Sequence, residues 1–161
     1  MVEKVDIYKG AKIKFKGSLD LNRMYNKIME WLEGEDFSVK EDFYKQRIKS
    51  SGQDIEISWT ATQSKHPYIN WESKIIIYIV GVNDNEVERD GKKIKLSNCT
   101  IEVRFDAWQI TNPKDEYKGI IKSFYEKFII GEKVEENKIL LFKTMQELVS
   151  EFKSFIALYQ T

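Results

Sequence analysis

The run Trp71-Glu-Ser-Lys-Ile-Ile-Ile-Tyr-Ile-Val-Gly-Val82 constrains the fold of this chain more than any other stretch. Its β-branched and aromatic content reads as the longest and most buried strand, against which the neighbouring segments can be registered. Ser51-Gly52 forms a two-residue turn between strands at 39–50 and 53–62. Pairing across it sets Tyr44 opposite Trp59 and Ile48 opposite Ile55 on one face, with Arg47 opposite Glu56 and Lys49 opposite Asp54 on the other. Apolar then meets apolar and charge meets opposite charge, as cross-strand energetics favour.

The next turn, 63–67, joins Trp59 to Trp71, Ile55 to Ile75 and Glu56 to Lys74. A third hairpin turns at Arg89-Asp-Gly91. A two-residue Asp-Gly loop would put Ile75 opposite Asp106 and mismatch every buried pair. A three-residue loop with Gly91 left-handed, followed by a bulge, instead pairs Ile75 with Phe105, Ile77 with Val103 and Ile79 with Ile101. Because a one-residue slip flips every side chain, the apolar pattern selects the bulged loop. The outer row then reads Arg47, Glu56, Lys74, Asp106, alternating in sign.

Before this meander, residues 12–16 alternate apolar and charged as a one-sided strand, broken at Gly17 and Ser18. A helix is predicted over 21–33, with Asp20 as N-cap and Gly34 at its end; Leu21, Met24, Tyr25, Ile28, Trp31 and Leu32 share one side. Pro113 ends the sheet. A helix over 115–129 carries Tyr117, Ile120, Ile121, Phe124 and Phe128 on one side and stops at Gly131. The last helix covers 142–159, with Met145, Leu148, Val149, Phe152, Phe155, Ile156 and Tyr159 as its stripe.

A chain of 161 residues with 42% hydrophobic content is expected to form one domain over 1–161 with a substantial core. Lys+Arg and Asp+Glu both number 26, so no net field favours nucleic acid, and neither a nucleic-acid partner nor a membrane span is expected. One cysteine, Cys99, and an N-terminus without an apolar leader fit a reducing cytoplasm. The fold class is α+β: a curved antiparallel β-meander with one helix after the first strand and two C-terminal helices. In element order it resembles the helix-grip arrangement, in which a bent sheet wraps a long C-terminal helix. The resemblance implies an apolar cavity between sheet and helix. The chain departs from that arrangement in having one helix, not two, after the first strand and an extra helix before the last.

The inner face becomes polar and aromatic toward one end, where Tyr44, Gln46, Trp59, Trp71 and Ser73 are expected to line a recess for a small, mostly apolar ligand. The competing reading is a filled core in which these polar groups pair with one another. On the outer face Ile76, Tyr78 and Val80 form an apolar stripe that either this chain, a second copy or another protein partner covers. His66 has no metal-ligating neighbours, Cys99 alternates inward with Ile101, and no phosphate-binding glycine spacing occurs, so neither metal nor cofactor is expected. No acid, base and oxyanion group can be brought together from the sequence, which favours a non-enzymatic binding domain, with an interaction or self-assembly module as the alternative.

Overall fold

The computed structural model describes residues 1–160, apart from the side chains of Val87 and Arg89. Five strands, β1 (Glu3–Leu19), β2 (Ser38–Lys49), β3 (Gly52–His66), β4 (Ile69–Arg89) and β5 (Lys92–Thr111), form one antiparallel sheet in the order β1-β5-β4-β3-β2. Helix α1 (Leu21–Gly34) follows β1. After β5 come α2 (Gly119–Tyr125), a π-helical turn (Glu126–Ile130) and α3 (Gly131–Ala157), which run on as one rod. The protein is α+β with a curved open sheet and α3 gripped on its inner side. Register shifts in every pair of neighbouring strands supply the curvature.

α1 forms as its pattern requires. The Asp20 carboxylate accepts from the Arg23 backbone N–H at 3.1 Å, and Met24, Ile28 and Leu32 are buried. The left-handed residue after it is Asp36 (φ 67°), not Gly34, which is still helical. β1 does not break at Gly17 but continues to Leu19, bending earlier, between Asp6 and Ala11. The core joins Ile13 and Phe15 of β1 to alternate residues of β3, β4 and β5 and to Met145, Leu148, Phe152 and Phe155 of α3. Phe105 meets Phe152 edge-on, ring centroids 6.0 Å apart.

The pairing of β4 with β5 is the expected one: Ile75 faces Phe105, Ile77 faces Val103 and Ile79 faces Ile101. The device that sets it lies elsewhere. Asp90 (φ 52°) and Gly91 (φ 75°) make a tight two-residue turn, with Arg89 opposite Lys92. The extra residue sits at Gly81-Val82, between the pairs Val80–Thr100 and Asn83–Asn98. Gly81 has φ 68°, and its N–H donates to Asp54 at 3.1 Å, tying the bulge to the β2–β3 hairpin.

Two other registers are corrected. β2 and β3 turn through Ser50-Ser51, so Tyr44 faces Ile57, Gln46 faces Ile55 and Arg47 faces Asp54. β3 and β4 turn through Pro67-Tyr68, which sets Trp59 opposite Ile75 and leaves Trp71 opposite Gln63. His66 Nδ1 accepts the Tyr68 backbone N–H at 3.0 Å and holds that turn. Of the expected outer ladder only Lys74–Asp106 survives as a facing pair, although the Lys49 ammonium still reaches Asp54 diagonally. Both slips are by an even number of residues, so the side chains of Tyr44 to Lys49 and of the facing parts of β3 and β4 keep their faces.

The C-terminal region differs more. Gly131 does not stop a helix: its φ is −54°, and α3 starts there. A side chain at Gly131 would lie 2.3 Å from the Glu126 carbonyl oxygen, the close approach created by the π-turn. Ile120, Ile121, Phe124 and Phe128, expected to share one side with Tyr117, are exposed, while Tyr117 and Tyr125 stack at 4.4 Å and pack against Tyr68. No helix among the described residues is long and apolar enough to cross a membrane.

Candidate functional site

The five residues expected to line one recess are divided between two environments. Trp59, Trp71 and Ser73 are buried in filled core. The Trp59 indole N–H donates to Glu41 at 3.1 Å, and the Tyr25 ring meets it edge-on at 4.9 Å. Trp71 stacks on Phe37 at 6.3 Å and donates to the Gln109 side-chain oxygen at 3.0 Å. The Gln109 amide in turn donates to the Val134 carbonyl at 3.1 Å, which pins sheet to α3. The Ser73 hydroxyl donates to the Asp106 carbonyl at 2.8 Å. Each of these polar groups is therefore satisfied within the protein.

Tyr44 and Gln46 lie at the mouth of a cleft of about 470 Å³ between the start of α1 and the sheet. Ile55, Ile57 and Ile79 form its floor, and Leu21, Met24 and Tyr25 of α1 form the opposite wall. The rim is polar: Gln46 donates to Gln53, and the Ser97 hydroxyl donates to Asp84 at 3.0 Å. Lys95 lies 3.5 Å from the same Asp84 carboxylate. Burial first, and then the hydrogen bond to Glu41, push the Tyr25 hydroxyl above its usual range, so it is a neutral donor at physiological pH. The helix that closes this cleft is α1, whereas the sequence pointed to the C-terminal one. A wider groove of about 810 Å³ runs between α1 and α3, bordered by Arg23, Lys27, Glu30 and Glu151. It is more open to solvent than the cleft and lacks the sheet floor.

Sequence reasoning missed Ile79, Leu21 and Met24 as cleft residues because each also fits a core stripe. The signal that could have found them is the facing of Ile55 and Ile79 in the correct β3–β4 register.

On the outer stripe Ile76, Tyr78 and Val80 stand outside the core cluster. The stripe is nevertheless screened. The Arg104 guanidinium lies 5.2 Å from the Tyr78 ring centroid, Arg104 is held by Glu102 at 3.1 Å, and only Val80 is well exposed. Cys99 is buried, and burial pushes its thiol up to about 11, so it is protonated at neutral pH.

A second polar cluster sits under α2. Lys122 bridges Glu3 at 2.8 Å and Glu126 at 3.1 Å, and the Tyr68 hydroxyl donates to Glu126. Burial alone would push the Glu126 carboxyl up, but Tyr68 and Lys122 outweigh it and hold it below the ordinary carboxylate range. A carboxyl whose pKa is lower folded than unfolded stabilises the fold above about pH 4.3 and loses that contribution as pH falls through the folded value. Melting temperature is expected to drop on acidification through that window, and Glu126→Gln to flatten that part of the profile in circular dichroism melts.

No family model matches the chain, and no curated protein matches its sequence.

Proposed function

We propose that the protein is a non-enzymatic binding domain that holds a small, mostly apolar ligand in the cleft between α1 and the curved sheet. The observation that carries this reading is the cleft itself: an isoleucine floor, a Leu-Met-Tyr wall and a polar rim enclosing about 470 Å³. That volume and that distribution of polar groups are typical of small-molecule sites. Gln46 and Gln53 on the rim would orient a polar head, while the floor takes the apolar body. The rim carboxylate Asp84 is engaged by Ser97 and Lys95.

Methyl NMR with decanol as the probe tests this directly. The Ile55, Ile57, Ile79 and Met24 methyl signals are expected to shift saturably, while those of Ile120 and Ile121 stay in place. Ile55→Trp, which fills the cleft from its most exposed floor position, should weaken binding by about tenfold or more with the fold intact. Floor methyls that do not move, or an affinity untouched by Ile55→Trp, would refute the reading. The alternative interface through Ile76, Tyr78 and Val80 has less behind it, because Arg104 already covers part of that surface.

A further inference from the structure

α2 and the π-turn present their apolar side to solvent. Ile120, Ile121, Phe124, Phe128 and Ile129 are all more than half exposed, from 56% at Phe124 to 88% at Ile120. The polar side of the same segment is turned inward, where Lys122 and Glu126 are held by Glu3 and Tyr68. Rolling the helix over to bury its isoleucines and phenylalanines would break these ion pairs and carry the stacked Tyr117 and Tyr125 rings away from Tyr68. The outward presentation is thus built into the fold.

We infer that this stripe is the face through which two copies of the chain associate, their helices antiparallel about a two-fold axis near Phe124 and Phe128. The first support is area. Five such side chains leave on the order of 500 Å² of apolar surface in one patch, near the upper end of what monomers tolerate. Ile139 and Leu140, both well exposed, continue the same side of the rod along α3 and bring the face toward the roughly 800 Å² per partner of a stable interface.

The second support is the order of charges. Moving outward from the phenylalanines, the chain meets Lys118, Glu116 and Lys114 in one direction and Glu132, Lys133 and Glu136 in the other, all exposed. The charges nearest the two ends of the helical stripe, Lys118 and Glu132, are opposite in sign. An isologous antiparallel pairing sets the start of one stripe beside the end of its twin, which brings Lys118 of one copy toward Glu132 of the other. Asp115 and Glu135 are engaged within their own chain by the N-terminal ammonium and Lys138, Lys118 itself lies 3.9 Å from Asp115, and the exposed Lys127 stands between the two phenylalanines.

Analytical ultracentrifugation of the full chain, from micromolar to millimolar, decides the matter. The wild type is expected to sediment at twice the chain mass. Phe124→Glu with Phe128→Glu should raise the dimer dissociation constant by about thirtyfold or more with an unchanged far-ultraviolet spectrum. Lys118→Glu should weaken the dimer and Glu132→Lys, added to it, restore it, while Tyr78→Glu leaves it intact. A wild type that stays at single-chain mass overturns the inference, and flotation of that monomer with phosphatidylserine vesicles would assign the stripe to membrane instead. A dimer indifferent to the phenylalanine and charge substitutions also overturns it.

Discussion

Replacing Trp71 by alanine is expected to lower the unfolding free energy by about 3–5 kcal/mol, more than any surface change discussed above. Two effects act together. The ring leaves a void against Phe37, and the Gln109 oxygen it satisfied is left buried without a donor. Trp71→Phe separates them: it keeps most of the volume and removes only the indole N–H, a loss of about 1–3 kcal/mol. Urea unfolding followed by circular dichroism measures both. For a chain of this size the alanine variant should melt roughly 10–15 °C lower. If Trp71→Ala were as stable as the wild type, the ring would not be part of a filled core against Phe37 and Gln109, and the space beside it would have to be reopened as a ligand site.

Gly131→Ala is the second large effect, and two opposing terms set its sign. Alanine favours a helix over glycine by about 1 kcal/mol. Against that, its methyl would stand 2.3 Å from the Glu126 carbonyl oxygen, deep within van der Waals contact. Relieving such an overlap costs about 1–3 kcal/mol where neighbours can shift, so a net loss of stability is expected. The chain can escape by closing the π-turn into regular α-helix. Each residue then advances about 100°, so absorbing the surplus one turns α2 about its axis and drags Lys122 and Glu126 away from Glu3 and Tyr68. Thermal melts read the stability, and the apparent mass in sedimentation reads the reorientation of Phe124 and Phe128. An alanine variant more stable than the wild type would show that the turn is not set by this glycine.

What the sequence disclosed follows from the two-residue period of a strand. Alternation assigns a face to every residue, and the faces of Tyr44, Gln46, Trp59, Trp71 and Ile75 all agree with the structure. Alternation cannot distinguish registers that differ by two or four residues. Along β3 and β4 buried residues recur at every second position, so sliding Trp59 from Trp71 to Ile75 exchanges one apolar partner for another. Only the turns carry the missing information, and Ser50-Ser51 and Pro67-Tyr68 lack the Asn-Gly or Asp-Gly chemistry that would have marked them. β4 and β5 were legible because an odd slip there would have faced Ile75 with Asp106. The candidate cleft was half visible for the same reason: Tyr44 and Gln46 were assigned the right face and the wrong neighbours. For α2, periodicity located an apolar side without telling whether it points in or out. The inward side is chosen by Tyr68, Glu3 and the tyrosine pair, all long-range partners.

The placement of the β4–β5 bulge has a consequence for how this protein can be altered. Since Gly81-Val82 absorbs the odd residue well before Asp90-Gly91, the loop at the far end of the ribbon does not itself set the alignment of the isoleucines. Residues spliced in at that tip are separated from the core pairs by the bulge, which Asp54 and Ser51 anchor from the adjoining hairpin. The tip is therefore the natural place to graft a reporter or a tether, far from both the cleft floor and the outward phenylalanines.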